Sequence, residues 1–321
     1  MSDTSVQLEK VAALPTRRNA VLDFFIRLGK EKPLGVVGAI IVLALLVTGI
    51  TSEFLAPYEF NEIHLADRLS PPSTQYLLGT DEVGRDILSR IIRGARVSMV
   101  VGLAATAISV VLNVGIGILS GYFGGKFDLV VQRFVDAWMC FPVLFIVLTL
   151  MALVGEGLTQ VIIVLGIIYG ISGSRIVRGT VIGMKENMYV HAAVAVGSPT
   201  WRILAKHILP NIMAPVIILF TIGVGGMIMV EATISFLGFG IPPPIASWGN
   251  MLSGAGRTYL LQAPWLALWP GLALSVVVYG INMFGDAMRD LLDPRLRGGL
   301  GRYGRTVRGR KARIKKAAKK D

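Results

Sequence analysis

The sequence of 321 residues contains little of what builds metal or disulfide sites. It has one cysteine, Cys140, and three histidines, His64, His191 and His207. A single thiol excludes a disulfide or a cysteine metal site within the chain, and the histidines are too scattered for a zinc motif. We therefore expect neither a metal nor a cofactor in this chain.

Charged residues are also scarce. Only 16% of the residues are charged, whereas 53% are hydrophobic and fall into long blocks. A helix that crosses a bilayer needs about 20 mostly apolar residues. The blocks therefore predict an all-α integral membrane protein with about six transmembrane helices. The candidate spans are 34–50, 97–121, 129–154, 158–173, 208–230 and 264–285.

Basic residues are unevenly distributed around these spans. If the N-terminus lies inside, most of the 32 lysines and arginines fall on the inner side, where basic flanks are retained. Both termini are thus predicted to be cytoplasmic, with a tail at 1–33 and a basic tail at 287–321. We interpret the basic tail as a contact with membrane lipid or a topology signal, not a nucleic-acid site, because only Tyr303 is aromatic within it.

The longest segment between spans, residues 51–96, is predicted to lie outside and to end in an interfacial helix. Apolar residues recur at helical spacing from Ile87 to Ala95, with arginines on the other face. Residues 97–286 then contain the five remaining spans.

Residues 185–210 form an inner segment that is too long for a simple turn. We predict two short helices, with Gly197 ending the first, Ser198 capping the second and Pro199 in its first turn. The apolar face of the second helix would consist of Trp201, Leu204, Ala205 and Ile208. Such a helix pair either docks into a partner's groove or packs on its own spans, and periodicity leaves both readings open.

The order of residues in this segment adds information. Ala192 and Ala193 are followed after three residues by Gly197, and later by Leu209 and Pro210. This order resembles the EAA loop of permease subunits in binding-protein-dependent ABC importers. The resemblance implies that the segment couples the spans to a cytoplasmic ATPase.

Two residues depart from the family pattern. His191 stands in place of the acid that names the motif, and His207 replaces an apolar residue. Glu186 is a nearby acid that can take the missing role. The coupling residues implied by the resemblance are Glu186, His191, Ala192, Ala193, Gly197, Trp201, Leu209 and Pro210.

Four further blocks resemble the second permease of dipeptide, oligopeptide and nickel importers. They are residues 78–99, 121–125, 235–252 and 285–297. The resemblance implies the type I importer transmembrane fold, with the first span added to a core of five. It also implies a heterodimer with a second homologous permease, two ATPase subunits or domains that bind ATP and Mg, and an extracytoplasmic substrate-binding protein.

Two charged residues fall inside the predicted spans and a third lies at the end of one, where an unpaired charge is costly. Arg133 and Asp136 lie one helical turn apart and are predicted to neutralise each other. Glu231 stands alone, either packing against the partner permease or lining the outer gate.

In the loop at residues 238–249, Pro243 and Trp248 either contact the binding protein or form a rigid turn.

The chain has no G-x-x-x-x-G-K-[ST] phosphate loop, so we expect no ATP hydrolysis by this chain alone. A secondary transporter is the alternative, although such carriers usually show internal repeats and none is evident here. Copurification with an ATPase would distinguish the two.

The resemblance implies ATP-driven import of di- or oligopeptides across a bacterial inner membrane. Nickel chelates, opines, glutathione and oligosaccharides use similar permeases.

Overall fold

The computed structural model describes residues 20–59 and 61–292. Within these ranges the chain is helical apart from loops, short 3₁₀ and π turns and one isolated bridge, which confirms the all-α prediction. The α-helices are α1 (Ala20–Glu31), α2 (Pro33–Ile50), α3 (Ser52–Leu55), α4 (Ile87–Phe123), α5 (Gly125–Met139), α6 (Val143–Val154), α7 (Leu158–Lys185), α8 (Met188–Ala195), α9 (Thr200–Ile203), α10 (Leu209–Phe236), α11 (Trp248–Ser253), α12 (Ala255–Thr258) and α13 (Trp265–Leu292). Most of the predicted N-terminal tail, and the basic tail from residue 293, lie outside the described residues.

Five helices are long and apolar enough to cross a membrane, and a bent pair of helices makes a sixth candidate. The five are α2, α4, α7, α13 and the continuous helix from Thr200 to Phe236. This number agrees with the predicted six spans. The helices run past the predicted ends, as α7 does by continuing to Lys185, because hydropathy marks only the apolar part of a helix.

Small residues let the central helices approach closely. A β-carbon added to Gly117 of α4 would lie 2.6 Å from Cβ of Val177 on α7. One added to Gly166 of α7 would lie 2.7 Å from Cβ of Ile108 on α4. Membrane helices associate through such packing because lipid supplies no hydrophobic force between them. The α4 and α7 pair is accordingly the most extensive helix contact in the bundle.

Helix α4 corrects the predicted boundary at residues 96 and 97. The predicted interfacial helix and the second span are one unbroken helix of 37 residues, which is about 55 Å long. The hydrocarbon core is only about 30 Å thick, so the N-terminal turns extend beyond it. The face predicted to be polar is not wholly exposed either, because Ser89 is buried.

The predicted third span, residues 129–154, is not one straight helix. Helices α5 and α6 meet at an angle of 87°. Pro142 occupies the N-cap of α6, and a proline disfavours helical backbone at the preceding residue, Phe141. The chain therefore breaks here, as either a broken span or a re-entrant loop.

The long segment between α3 and α4 folds onto the N-terminal end of α4. The Asp86 carboxylate caps α4 by accepting from Ser89 N at 2.8 Å. The Trp265 indole donates to Thr80 O at 3.3 Å, which ties the segment to α13. Its position therefore depends on helices distant in sequence.

Candidate functional site

The segment at residues 185–210 begins with α8, which ends as predicted at Gly197. This glycine has φ +73°, in the left-handed region that side chains disfavour. Gly197 N donates to Val194 O at 2.9 Å, and Ser198 N donates to Ala193 O at 3.0 Å. These two bonds form a Schellman motif, which satisfies carbonyl groups that the end of a helix leaves free.

The second helix of this segment differs from the prediction. Pro199, not Ser198, is the N-cap residue of α9, and it makes no side-chain capping bond. Helix α9 also continues through the π turn Leu204–Ile208 into α10. The segment is therefore one short helix followed by the end of a long span.

The π turn divides the predicted apolar face. Ile208 is buried, whereas Trp201 and Ala205 are exposed. The buried residues are Ile203 and Ile208, which are five positions apart, as the i to i+5 bonding of a π turn places them. A helical period of 3.6 could not reveal this register.

Helix α8 buries one face against the spans. Val190 and Ala193 join a core cluster with Val177 and Val181 of α7 and with Ile203. This cluster also contains Ile208 and Ile212, so α8 shares a hydrophobic core with α7 and with the start of α10.

The exposed part of α8, the turn after it and the start of α9 carry large apolar side chains. We call this the α8 surface; it consists of Met188, Val194, Val196 and Trp201. Val196 is 80% exposed. The Arg202 guanidinium lies 5.5 Å from the centre of the Trp201 ring, within the range of a cation–π contact. Exposed apolar groups clustered next to polar ones are typical of an interaction site.

The remaining predicted coupling residues surround this surface. His191 and Ala192 are exposed on α8. His191 Nε2 lies 3.9 Å from Oε2 of Glu186, so the acid expected nearby does approach the histidine. Leu209 and Pro210 follow the π turn directly within the continuous helix, and Pro210 has no N–H to continue the regular bonding there.

The charges predicted as a pair near residue 136 belong to a larger group. Arg133 Nη1 lies 3.6 Å from Oδ2 of Asp136, but Arg175 of α7 makes the hydrogen bond to this carboxylate. Asp128 and Arg178 form a second pair, with Nε at 2.6 Å from Oδ1. These contacts join α5 to α7 across about 40 to 50 residues of sequence, so no local pattern could have predicted them.

Glu231 lies inside the protein in this structure. Its side chain is 0% exposed, and Ser235 Oγ donates to its Oε1 at 2.7 Å. Ser235 Oγ in turn accepts from Ile241 N at 3.2 Å. In this conformation Glu231 supports the loop after α10. Its predicted roles at a partner surface or an open gate remain predictions.

Trp248 is likewise internal, which favours the rigid turn over a contact with a binding protein. It is 2% exposed, and its Nε1 donates to Ile91 O at 3.1 Å. Gly94 makes room for the indole, since a β-carbon there would lie 2.8 Å from the ring. Pro243 is exposed on the same loop, and its predicted contact remains a prediction.

Comparisons with known proteins point to one family. Residues 113–298 match the family described as binding-protein-dependent transport system inner membrane component. The chain is 36% identical over 268 residues to the dipeptide transport system permease protein DppC of Alkalihalophilus pseudofirmus, covering 84% of this chain and 88% of that protein. It is 37% identical over 291 residues to the oligopeptide transport system permease protein OppC of Bacillus subtilis, covering 90% and 93%.

A third relative is named for a different solute. The glutathione transport system permease protein GsiD of Pectobacterium atrosepticum is 34% identical over 263 residues, covering 82% of this chain and 87% of that protein. These matches confirm the resemblance stated from the sequence blocks. The chain therefore belongs to the family of binding-protein-dependent transport permeases, as a relative of DppC and OppC.

Proposed function

We propose that this permease is driven by cytoplasmic ATPases that dock on the α8 surface. The single observation that carries the proposal is the exposure of large apolar side chains on a short helix that is itself fixed to two spans. A soluble ATPase can cover these side chains by placing them in a groove. ATP and Mg would be bound by the ATPases, because this chain has no phosphate loop.

The packing of α8 suggests how docking is transmitted. Val190 and Ala193 lie against α7 and the π turn, so a movement imposed on α8 acts on both. Packed interfaces tend to switch between discrete arrangements and do not deform continuously. We infer that ATPase closure moves α7 and α10 together and changes which side of the bundle is open.

The remaining partners follow from the family. We propose a heterodimer with a second homologous permease and an extracytoplasmic protein that delivers the solute. Di- and oligopeptides are the proposed solutes, in keeping with the names of the relatives, and glutathione is itself a small peptide. The asymmetry of basic residues supports an inner-membrane orientation with both termini in the cytoplasm.

Docking can be tested by placing a charge on the α8 surface. Val196→Asp should abolish copurification of the ATPases, because burying an unpaired carboxylate against an apolar groove is costly. The fold should persist, since Val196 is exposed. Leu261→Asp is the matched control, because Leu261 is 98% exposed on a loop away from this surface. Normal ATPase recovery with Val196→Asp would refute docking at α8.

A further inference from the structure

A cavity of about 230 Å³ lies between α5 and the C-terminal part of α7. Most of the side chains that line it are charged or polar; the charged ones are Asp128, Arg133, Asp136 and Arg178. The predicted apolar part of α7 ends at residue 173, before its two arginines. The cavity therefore lies beside a polar helix end, where a membrane protein meets the lipid headgroups.

The two carboxylates of this cavity already have cations of their own. Arg178 donates two hydrogen bonds to Asp128, at 2.6 and 2.5 Å. Arg175 donates to Asp136. Arg133 is in excess of these pairs, because its Nη1 lies 3.6 Å from Asp136 and it makes no hydrogen bond among the described residues. Its side chain is 76% exposed, so its N–H donors are accessible.

Two lysines add to this excess of positive charge. Lys126 is exposed and has no ion pair among the described residues. It lies seven positions before Arg133, about two helical turns, and so shares a face of α5 with it. Lys185 lies at the start of α5, since a β-carbon on Gly124 would be 3.8 Å from its Nζ. The acid next to it in sequence, Glu186, instead faces a histidine of α8 at 3.9 Å.

Large apolar side chains of α5 are exposed beside these cations. Phe127, Val130 and Phe134 recur at i, i+3 and i+7, which places them on one side of the helix. Helix α6 carries no charged residue and meets α5 at 87°, so both helices cannot run along the membrane normal. A helix that is apolar on one face and basic on the next is typical of one that lies in the membrane interface.

We propose that the cavity between α5 and α7 binds the phosphate group of an anionic phospholipid, whose acyl chains lie against the exposed apolar side of α5. Charge complementarity selects the phosphate, because Arg133 offers N–H donors in a planar fork and the lysines add positive charge. The apolar neighbours select a lipid over a small anion, which would gain nothing from them. The proposal goes beyond the transport function proposed above and does not depend on which solute is carried.

Removal of the exposed cations tests the site. Lys126→Gln and Arg133→Gln should each lower the apparent affinity for an anionic lipid about fivefold, and the double variant about 25-fold. The fold should persist, since both side chains are exposed and make no hydrogen bond among the described residues. Arg133→Lys keeps the charge and should lose less than Arg133→Gln.

Arg257→Gln is the matched control. Arg257 is exposed in α12, on the side predicted to be outer, and its replacement removes the same charge without touching α5 or α7. An effect of net charge alone would appear in this variant as well. An effect of the proposed site would not.

The assay is native mass spectrometry of the complete transporter with its second permease and ATPases. Phosphatidylglycerol is titrated into the detergent solution, and phosphatidylcholine serves as the lipid without net charge. We expect the glutamine variants to lose affinity for phosphatidylglycerol only, and Arg257→Gln to match the wild type. A ligand of the folded state also stabilises it, so phosphatidylglycerol should raise the unfolding temperature of the wild type more than that of the double variant.

Several results would overturn the proposal. Equal binding of phosphatidylglycerol by the wild type and the double variant would refute the site, as would an equal loss with Arg257→Gln. Displacement of the lipid by an equal concentration of inorganic phosphate would identify a site for small anions and contradict a lipid site. Binding to the isolated chain that disappears in the complete transporter would show that the second permease covers this face.

The lipid site and the transport function fail separately. A wild-type complex that imports no peptide, but still distinguishes phosphatidylglycerol from phosphatidylcholine through Arg133, refutes the proposed solute and leaves the lipid site standing. A complex that imports peptide and binds both lipids equally in every variant refutes only the lipid site.

Discussion

Replacement of Gly197 by valine is expected to weaken ATPase binding while membrane insertion stays normal. Gly197 has φ +73° and closes α8 through the bonds made by its own N–H and that of Ser198. A β-carbon here would meet nothing within 4 Å. The cost of a side chain is therefore set by backbone conformation and not by a clash with neighbouring atoms.

The size of the effect follows from this conformation. A non-glycine residue in the left-handed region costs about 1 to 2 kcal/mol, and a β-branched residue is a marked outlier there. This free energy corresponds to a factor of about 5 to 30 in the population of the native loop. Since only the native turn presents the α8 surface, apparent ATPase affinity should fall by up to the same factor. Gly197→Asn should lose less, because asparagine tolerates this region.

The assay is a titration of the purified permease complex with ATPase, read as bound ATPase and as ATP hydrolysis stimulated by the binding protein. Gly179→Val is the control, since Gly179 lies within α7 and a β-carbon there also meets nothing within 4 Å. Equal affinities for the Gly197→Val and Gly197→Asn variants would refute the reasoning. So would an equal loss with Gly179→Val.

Two further predictions concern the packing of the bundle. Trp248→Ala should destabilise the protein by about 3 to 5 kcal/mol, because it empties the site beside α4, whereas Trp248→Phe should cost about 1 kcal/mol through the lost bond to Ile91 O. Thermal unfolding in detergent measures both, and equal shifts would contradict the packing argument. A double-mutant cycle with Asp128→Asn and Arg178→Gln should give a coupling energy of about 1 kcal/mol; additive effects would show that this pair does not tie α5 to α7.

Local features of the chain were largely predictable. The apolar blocks located the spans because a helix in lipid must be mostly apolar over its crossing length. Gly197 was recognised as the end of α8 because the left-handed turn after a helix favours glycine. The two predictions succeed because each depends on residues close together in sequence.

Features that depend on long-range packing were not predictable. The pattern left Trp248 open between an interface and a rigid turn, and it did not indicate that Ile91, far away in sequence, accepts its indole N–H. The partner of Asp136 was sought one turn away, but Arg175 of another helix makes the hydrogen bond. The π turn shifted the buried face to Ile203 and Ile208, and its register cannot be read from a regular helical period.

The sequence by itself determined that this is a helical membrane protein of the permease family. In lipid each span must satisfy its own backbone hydrogen bonds, so a long apolar block already specifies a helix. Only the tertiary structure decided which polar side chains are paired and which are left without a partner. Thr106 and Ser235 both lie in apolar spans, yet Ser235 donates to Glu231 whereas Thr106 Oγ1 has no partner among the described residues. The difference arises from the neighbouring helices and loops, whose approach brings together residues that are distant along the chain.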